Sequence, residues 1–239
     1  MSSYQIHLAR LTGTDDAAAL TAAVKEYEQT QKPPFVEQFA VLGVSGGKSA
    51  VRIAAAYCTG KEINVVTKLP GARKGPETVS LDLERVNVAI PFEMLINAKA
   101  GRLQTFGPGP KSLEMANEFL VGALAWPALT SEIEIEAQAS LDTMISQKVE
   151  RLQLVSVSIG DYSHNSYMVG GYNPKFLDSQ HGLDFSAEYA ESINSMSVKF
   201  AGPTGKVTMK LTNKASFTFS CHEDDYDYVA AICRRLGGW

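Results

Sequence analysis

At 239 residues the chain can bury the core of one large domain or two small ones, and its 45% hydrophobic and 20% charged residues are values of a globular protein. No apolar run is long enough to span a bilayer, and the N-terminal MSSYQIHLARL is too short and too polar for a signal peptide. The net charge of −4 argues against a uniformly basic nucleic-acid binder, but a local field can differ in sign from the total.

The charge is sorted along the chain. Val41 to Lys111 carries ten Lys/Arg against five Asp/Glu, and Ser195 to Ala215 carries four Lys and no acid. Between them, Ser112 to Asn194 has three basic residues and twelve acidic ones.

Taken in chain order, Tyr4 to Leu11 reads as a strand. Thr14 reads as an N-cap with Asp15 and Asp16 in the first turn, where acids suit the helix dipole. Leu20, Ala23, Val24 and Tyr27 keep a helical period, so a helix is expected over Asp15 to Gln31, ended by Pro33 and Pro34. Val36 to Val44 and Ala50 to Cys58 form a hairpin around SGGKS. The GVSGGKSA stretch is a near miss for a P-loop: Gly43 stands one residue too close to Gly47, and a strand pattern follows where a helix is required. Glu62 to Leu69 reads as a further strand, and Pro70 to Thr78 as a basic Gly/Pro loop. Arg85 to Met94 alternates, with Pro91 marking an edge or bulge. Gly101 turns the chain into Arg102 to Phe106, and a helix with Leu113, Ala116, Phe119, Leu120 and Ala123 follows until Pro127.

The second half starts with an alternating strand from Glu132 to Ala137, then a short helix or extended stretch, then a strand from Glu150 to Ile159. Gly160 to Gly182 reads as a long irregular segment, and loops of that length are usually functional or mobile. Met196 to Phe200, Val207 to Leu211 and Ala215 to Phe219 alternate as three strands. Ser220 and Glu223 suggest a capping box for a last helix, with Tyr226, Val229, Ala230 and Cys233 inward and Arg234 and Arg235 in its final turn. The expected class is α+β: antiparallel sheets with packed helices, in two halves (1–127 and 128–239, or one continuous domain) that each end in strand, turn, strand, helix.

Candidate sites follow from charge. Lys199, Lys206, Thr208, Lys210, Thr212, Ser216 and Thr218 alternate with core residues and so share one face, a Lys/Thr/Ser surface able to donate to phosphate oxygens. A solvated sheet face has the same composition. Lys68, Arg73 and Lys74 form a basic loop tip, and Lys99, Arg102 and Lys111 flank the other hairpin, so these residues are candidates for the same groove. No catalytic set emerges. The four histidines are scattered, and neither HExxH nor HxH occurs. The alternative ligand loop holds Tyr162, His164, Asn165, Tyr172 and His181. Cys58, Cys221 and Cys233, with no CxxC spacing, read as reduced thiols of a cytosolic protein, and neither metal nor cofactor is expected.

The segment IPFEMLINAKAGRLQTFGPGPKSLEMANEFL, with its hairpin, the turn Phe106-Gly107-Pro108, an amphipathic helix and then EIEIEA, resembles the RexA family of phage-exclusion and bacterial defence proteins. The fold of that family is similar to that of the recombination-associated RdgC proteins. The element order fits most of the chain, while the residue match lies around Phe106 to Pro108 and at Phe119-Leu120. The resemblance implies a dimer that binds double-stranded DNA without sequence preference. The function expected is therefore non-catalytic nucleic-acid binding. A charge-complementary homo-oligomeric module, and a small-ligand binder or enzyme built on the 160–182 loop, stand as alternatives.

Overall fold

A computed structural model describes residues 2–13, 16–32, 35, 37–67, 80–107, 111–165 and 168–238; at 61–67, 80–87, 163–165 and 168–169 it describes the backbone alone. The elements are β1 (Ser2–Thr12), α1 (Ala17–Thr30), β2 (Gln38–Gly46), β3 (Ala50–Thr67), β4 (Ser80–Asn97), β5 (Arg102–Phe106), α2 (Ser112–Asn117), β6 (Leu129–Glu132), α3 (Ala137–Ser146), β7 (Gln153–Asn165), β8 (Met168–Tyr172), α4 (Ser179–Glu188), β9 (Ile193–Ala201), β10 (Lys206–Thr212), β11 (Ser216–Cys221) and α5 (Tyr226–Leu236). The expected α+β class holds, with one sheet rather than several. All its pairings are antiparallel, in the order β2-β3-β4-β5-β1-β11-β10-β9-β7-β8, and β6 adds to β1.

β1 is the pivot. On one side it pairs with β5, and on the other with β11 over Ser2 to His7 and then β6 over Ala9 to Thr12. Ile6, His7, Leu8 and Ala9 are all buried, which a strand covered on one face alone would not show. Alternation explains it. Ile6 and Leu8 join a core with β7, β9, β10, β11, α3 and α5. Ala9 and Leu11 point the other way, into a core with β2 to β5, α1 and α2. The helical cover therefore changes faces at β1, and each half of the sheet keeps one face without a helical layer.

Local chemistry sets the elements. Asp16 rather than Thr14 caps α1, its carboxylate accepting from the N–H groups of Ala18 and Ala19 at 2.8 and 2.9 Å. Thr14, Asp15, Pro33 and Pro34 lie outside the described residues. The SGGKS turn joins two strands, with Gly47 N–H donating to Ala50 O at 2.8 Å, so no helix follows it. Glu62 to Leu69 is not a separate strand. β3 runs on to Thr67, pairing in register with β4 as far as Thr67↔Ser80. Because β2 stops pairing at Cys58 and β5 at Glu93, Thr59 to Thr67 and Ser80 to Val88 pair with each other alone, as a ribbon about 30 Å long. Pro91 sits where β4 has β3 on one side and no β5 partner on the other, the edge position its missing N–H requires. After α2 the chain widens into a π-helical turn over Glu118–Ala123, in which Leu124 N–H reaches Phe119 O at 3.0 Å and both Phe119 and Leu120 are fully buried.

Three further expectations are corrected. The alternating strand expected from Glu132 to Ala137 ends at Glu132; Ile135 donates to Asn213 O at 2.7 Å outside the sheet, and α3 starts at Ala137. The irregular segment from Gly160 to Gly182 instead holds the end of β7, the strand β8 and the start of α4. Ser220 caps nothing: it stays in β11, paired with Ser3 and Thr208, and a 3₁₀ turn over Glu223–Asp225 leads into α5. Asp225 is fully buried and accepts the Thr204 N–H of the β9–β10 turn at 2.8 Å, tying that turn to the helix start.

Candidate nucleic-acid interface

The open face of the C-terminal half is built by strand parity. Val198, Val207, Met209, Phe217 and Phe219 face the core, so their strand neighbours face away from it. The registers align those neighbours into rows. One row runs Ser3, Ser220, Thr208, Lys199, Gln153, and the next runs Gln5, Thr218, Lys210, Ser197, Ser156. A third contains the pair His7↔Ser216 and the run Thr212, Ser195, Ser158, with the Thr212 hydroxyl 3.5 Å from Ser216 O. Across five strands, about 19 Å wide, these rows present hydroxyls, amides and ammonium groups, with no carboxylate and no Phe, Tyr or Trp, while His7 and Ser195 of the third row are buried.

Two clefts extend the face. At one end a cavity of about 540 Å³ lies between the α3–β7 connection and the β9–β10 turn, lined by Arg151, Lys199 and Lys206 among others. At the other a cavity of about 120 Å³ brings Lys175 and Lys210 together with Ser156, Ser158, Ser195 and Ser197. Lys175 reaches this position because it forms a bridge with Ser156. Lys206 and Lys210 stand about 13 Å apart along β10. None of Arg151, Lys175, Lys199, Lys206 and Lys210 forms a salt bridge with a described residue. Their charge is left to solvent or to a ligand.

Of the residues singled out from sequence, Lys199, Lys206 and Lys210 come together here. Lys111 is exposed at the start of α2, next to Ser112, whose buried hydroxyl is 3.1 Å from that of Thr105, the β5 partner of His7. Lys99 does not join them. It sits at the β4–β5 turn, where Gly101 O accepts from Leu11 at the far end of β1. Arg102 alternates with the core residue Leu103 and lies on the opposite face, where its guanidinium donates to the carbonyls of Gly237 and Gly238 and closes the end of α5. Arg73 and Lys74 fall in the β3–β4 connection, outside the described residues.

The alternative ligand loop has a structural account in its described part. Tyr162 stacks on Tyr172 with ring centroids 4.7 Å apart and meets Tyr189 at 5.5 Å, in an aromatic cluster with Phe185 and Phe176. His181 bonds Asp178, the N-cap of α4, and this contact holds the Asp178 carboxyl below its usual range. His164 and Asn165 continue β7, and their side chains are outside the description. Among the described residues, no group of three or more His, Cys, Asp or Glu is placed to hold a metal ion.

Arg151, Lys175 and Gln153 escaped the sequence reading. Arg151 stands just before β7, and Lys175 lay in the segment read as irregular. β7 also carries a bulge between Leu154 and Ser156: strict alternation would set Gln153 on the face opposite Ser156 and Ser158, and the bulge brings the three onto one face. Comparison of the chain with protein-family models and with curated proteins finds no match.

Proposed function

We propose that this protein binds double-stranded nucleic acid through its phosphate backbone, without sequence preference, using the open face of β1, β11, β10, β9 and β7. The observation that carries the reading is the acid-free face with its unpaired cations in a chain that is acidic overall. Hydroxyl, amide and ammonium donors are the groups that contact phosphate and sugar in backbone-positioning interfaces. The face lacks the aromatic platforms on which single strands stack, and it presents no helix to enter a groove, so a duplex contacted through its backbone fits better. The RexA-like segment implies the same activity, although of the EIEIEA stretch of that pattern only Glu132 lies in a strand here, at the end of β6.

Non-specific binding of this kind has a dissociation constant of roughly 10⁻⁴ to 10⁻⁶ M at physiological salt and tightens steeply as salt is lowered. A mobility-shift titration on random-sequence duplex at low salt tests it. Saturable, salt-sensitive retardation is expected for duplexes of unrelated sequence. Folded protein that leaves the duplex unshifted removes the proposal.

A further inference from the structure

We infer that the cavity between the α3–β7 connection and the β9–β10 turn is a discrete binding site for a phosphate group. It overlaps the proposed duplex face at Lys199 and Lys206 but does not depend on it. Three cations line the cavity, Arg151, Lys199 and Lys206, against one acid, Glu150. The cations outnumber the acids even when the buried Asp225 behind the turn is counted, as binding of an anionic phosphate requires. The lysines supply point charges, and the guanidinium supplies the planar fork that phosphate oxygens accept bidentately.

The walls are fixed by the backbone. Ala201 N–H donates to Glu150 O at 2.8 Å, tying the α3–β7 connection to β9. Gly202 N–H closes the turn on Gly205 O, and buried Asp225 takes the Thr204 N–H. A Cβ on Gly202 would lie 2.6 Å from Asp225 Oδ2, so only glycine lets the turn rest on that carboxylate. The turn's donors at Gly202 and Thr204 are spent on the protein itself, and recognition therefore falls to the side chains.

Arg151 adds the most specific argument. Its φ is +53°, a left-handed conformation that costs a non-glycine residue conformational energy. Lys148, three residues earlier, is also left-handed, but there the conformation completes a helix stop: Val149 N–H returns to Met144 O and Lys148 N–H to Ile145 O. Arg151 closes no helix; it stands at the third position of the tight turn over Glu150 and Arg151, a position that calls for a positive φ and that glycine fills without strain. An arginine held there at conformational cost points to a use for the guanidinium in the cavity it lines. The volume of about 540 Å³ is in the range of ligand pockets and exceeds one phosphate, so the phosphate belongs to a larger molecule, either a nucleic-acid end or a small phosphorylated compound.

Arg151→Gly separates function from folding, because it removes the fork while relieving the backbone. Inorganic phosphate and pyrophosphate are titrated calorimetrically at constant ionic strength held with chloride. The wild type is expected to bind saturably, and Arg151→Gly and Lys206→Ser to bind at least about tenfold more weakly, with the Arg151→Gly thermal midpoint unchanged or raised. No saturable binding by the wild type, or full binding by Arg151→Gly, overturns the site. Short oligonucleotides with and without a 5′-phosphate then identify the source. A preference for the phosphorylated end that disappears in Arg151→Gly supports a nucleic-acid terminus, and equal affinity alongside intact phosphate binding supports a small phosphorylated compound. Lys210→Ser lies outside the cavity, so it weakens duplex binding alone and keeps failure of this site distinct from failure of the duplex face.

Discussion

Replacing Lys199, Lys206 and Lys210 together by serine perturbs the proposed face without touching either core. The three project from strands whose opposite faces are packed, beside Ser197, Thr208 and Thr218, so serine continues the pattern already present. Surface changes of this kind stay within about 0.5 kcal/mol each, and the fold is expected to persist. If each lysine neutralises one phosphate, the salt-dependence exponent falls by about 0.9 per residue, or about 2.7 in all. Over a fourfold rise in salt those three contacts account for a loss of affinity of about 40-fold. Fluorescence anisotropy on a labelled random duplex across a chloride series measures the exponent directly. A control with Lys25, Lys32 and Lys99 changed to serine makes the same change in net charge away from the open face. The reasoning fails if the two triple variants have the same exponent.

Gly13 has a φ of +82°, and a Cβ there would stand 1.9 Å from the backbone oxygen of Pro127, so Gly13→Ala is expected to cost at least about 3 kcal/mol in a chemical denaturation curve. All three cysteines are buried, and burial pushes the Cys221 and Cys233 thiols upward, so native protein is expected to react with a thiol reagent at neutral pH only after denaturant is added. Asp178, held low by His181, is expected to cap α4 fully at neutral pH. Because its folded pKa is depressed, that contribution is lost as pH falls through and below the ordinary carboxylate range, and an NMR titration of the Gln180 and His181 amides should follow it.

The C-terminal sheet was the most legible part of the chain, because strict alternation over Met196 to Phe219 sets both its core and its open face. The long β3 looks like two strands in the sequence because Thr59 and Gly60 break an apolar run, while the backbone continues through them in register. The hairpin and helix inside Gly160 to Gly182 were masked by Tyr, Asn and Gly, whose aromatic packing only the tertiary fold displays. Arg102 misled for a related reason. Its charge was visible, but the approach of the C-terminal end of α5 that consumes it was not. The change of covered face at β1 could not be read from alternation in any single strand, and it is what lets a chain of acidic composition expose one basic surface. Arg151 and Lys175 join that surface through a turn and a bridge that link residues distant in sequence.

The most direct measurement is a lysine-reactivity footprint: acetylation with and without random duplex, read residue by residue by mass spectrometry. The account predicts protection of Lys175, Lys199, Lys206 and Lys210, with Lys25, Lys32 and Lys99 unchanged. Protection confined to the latter group, or spread evenly over both, would contradict it.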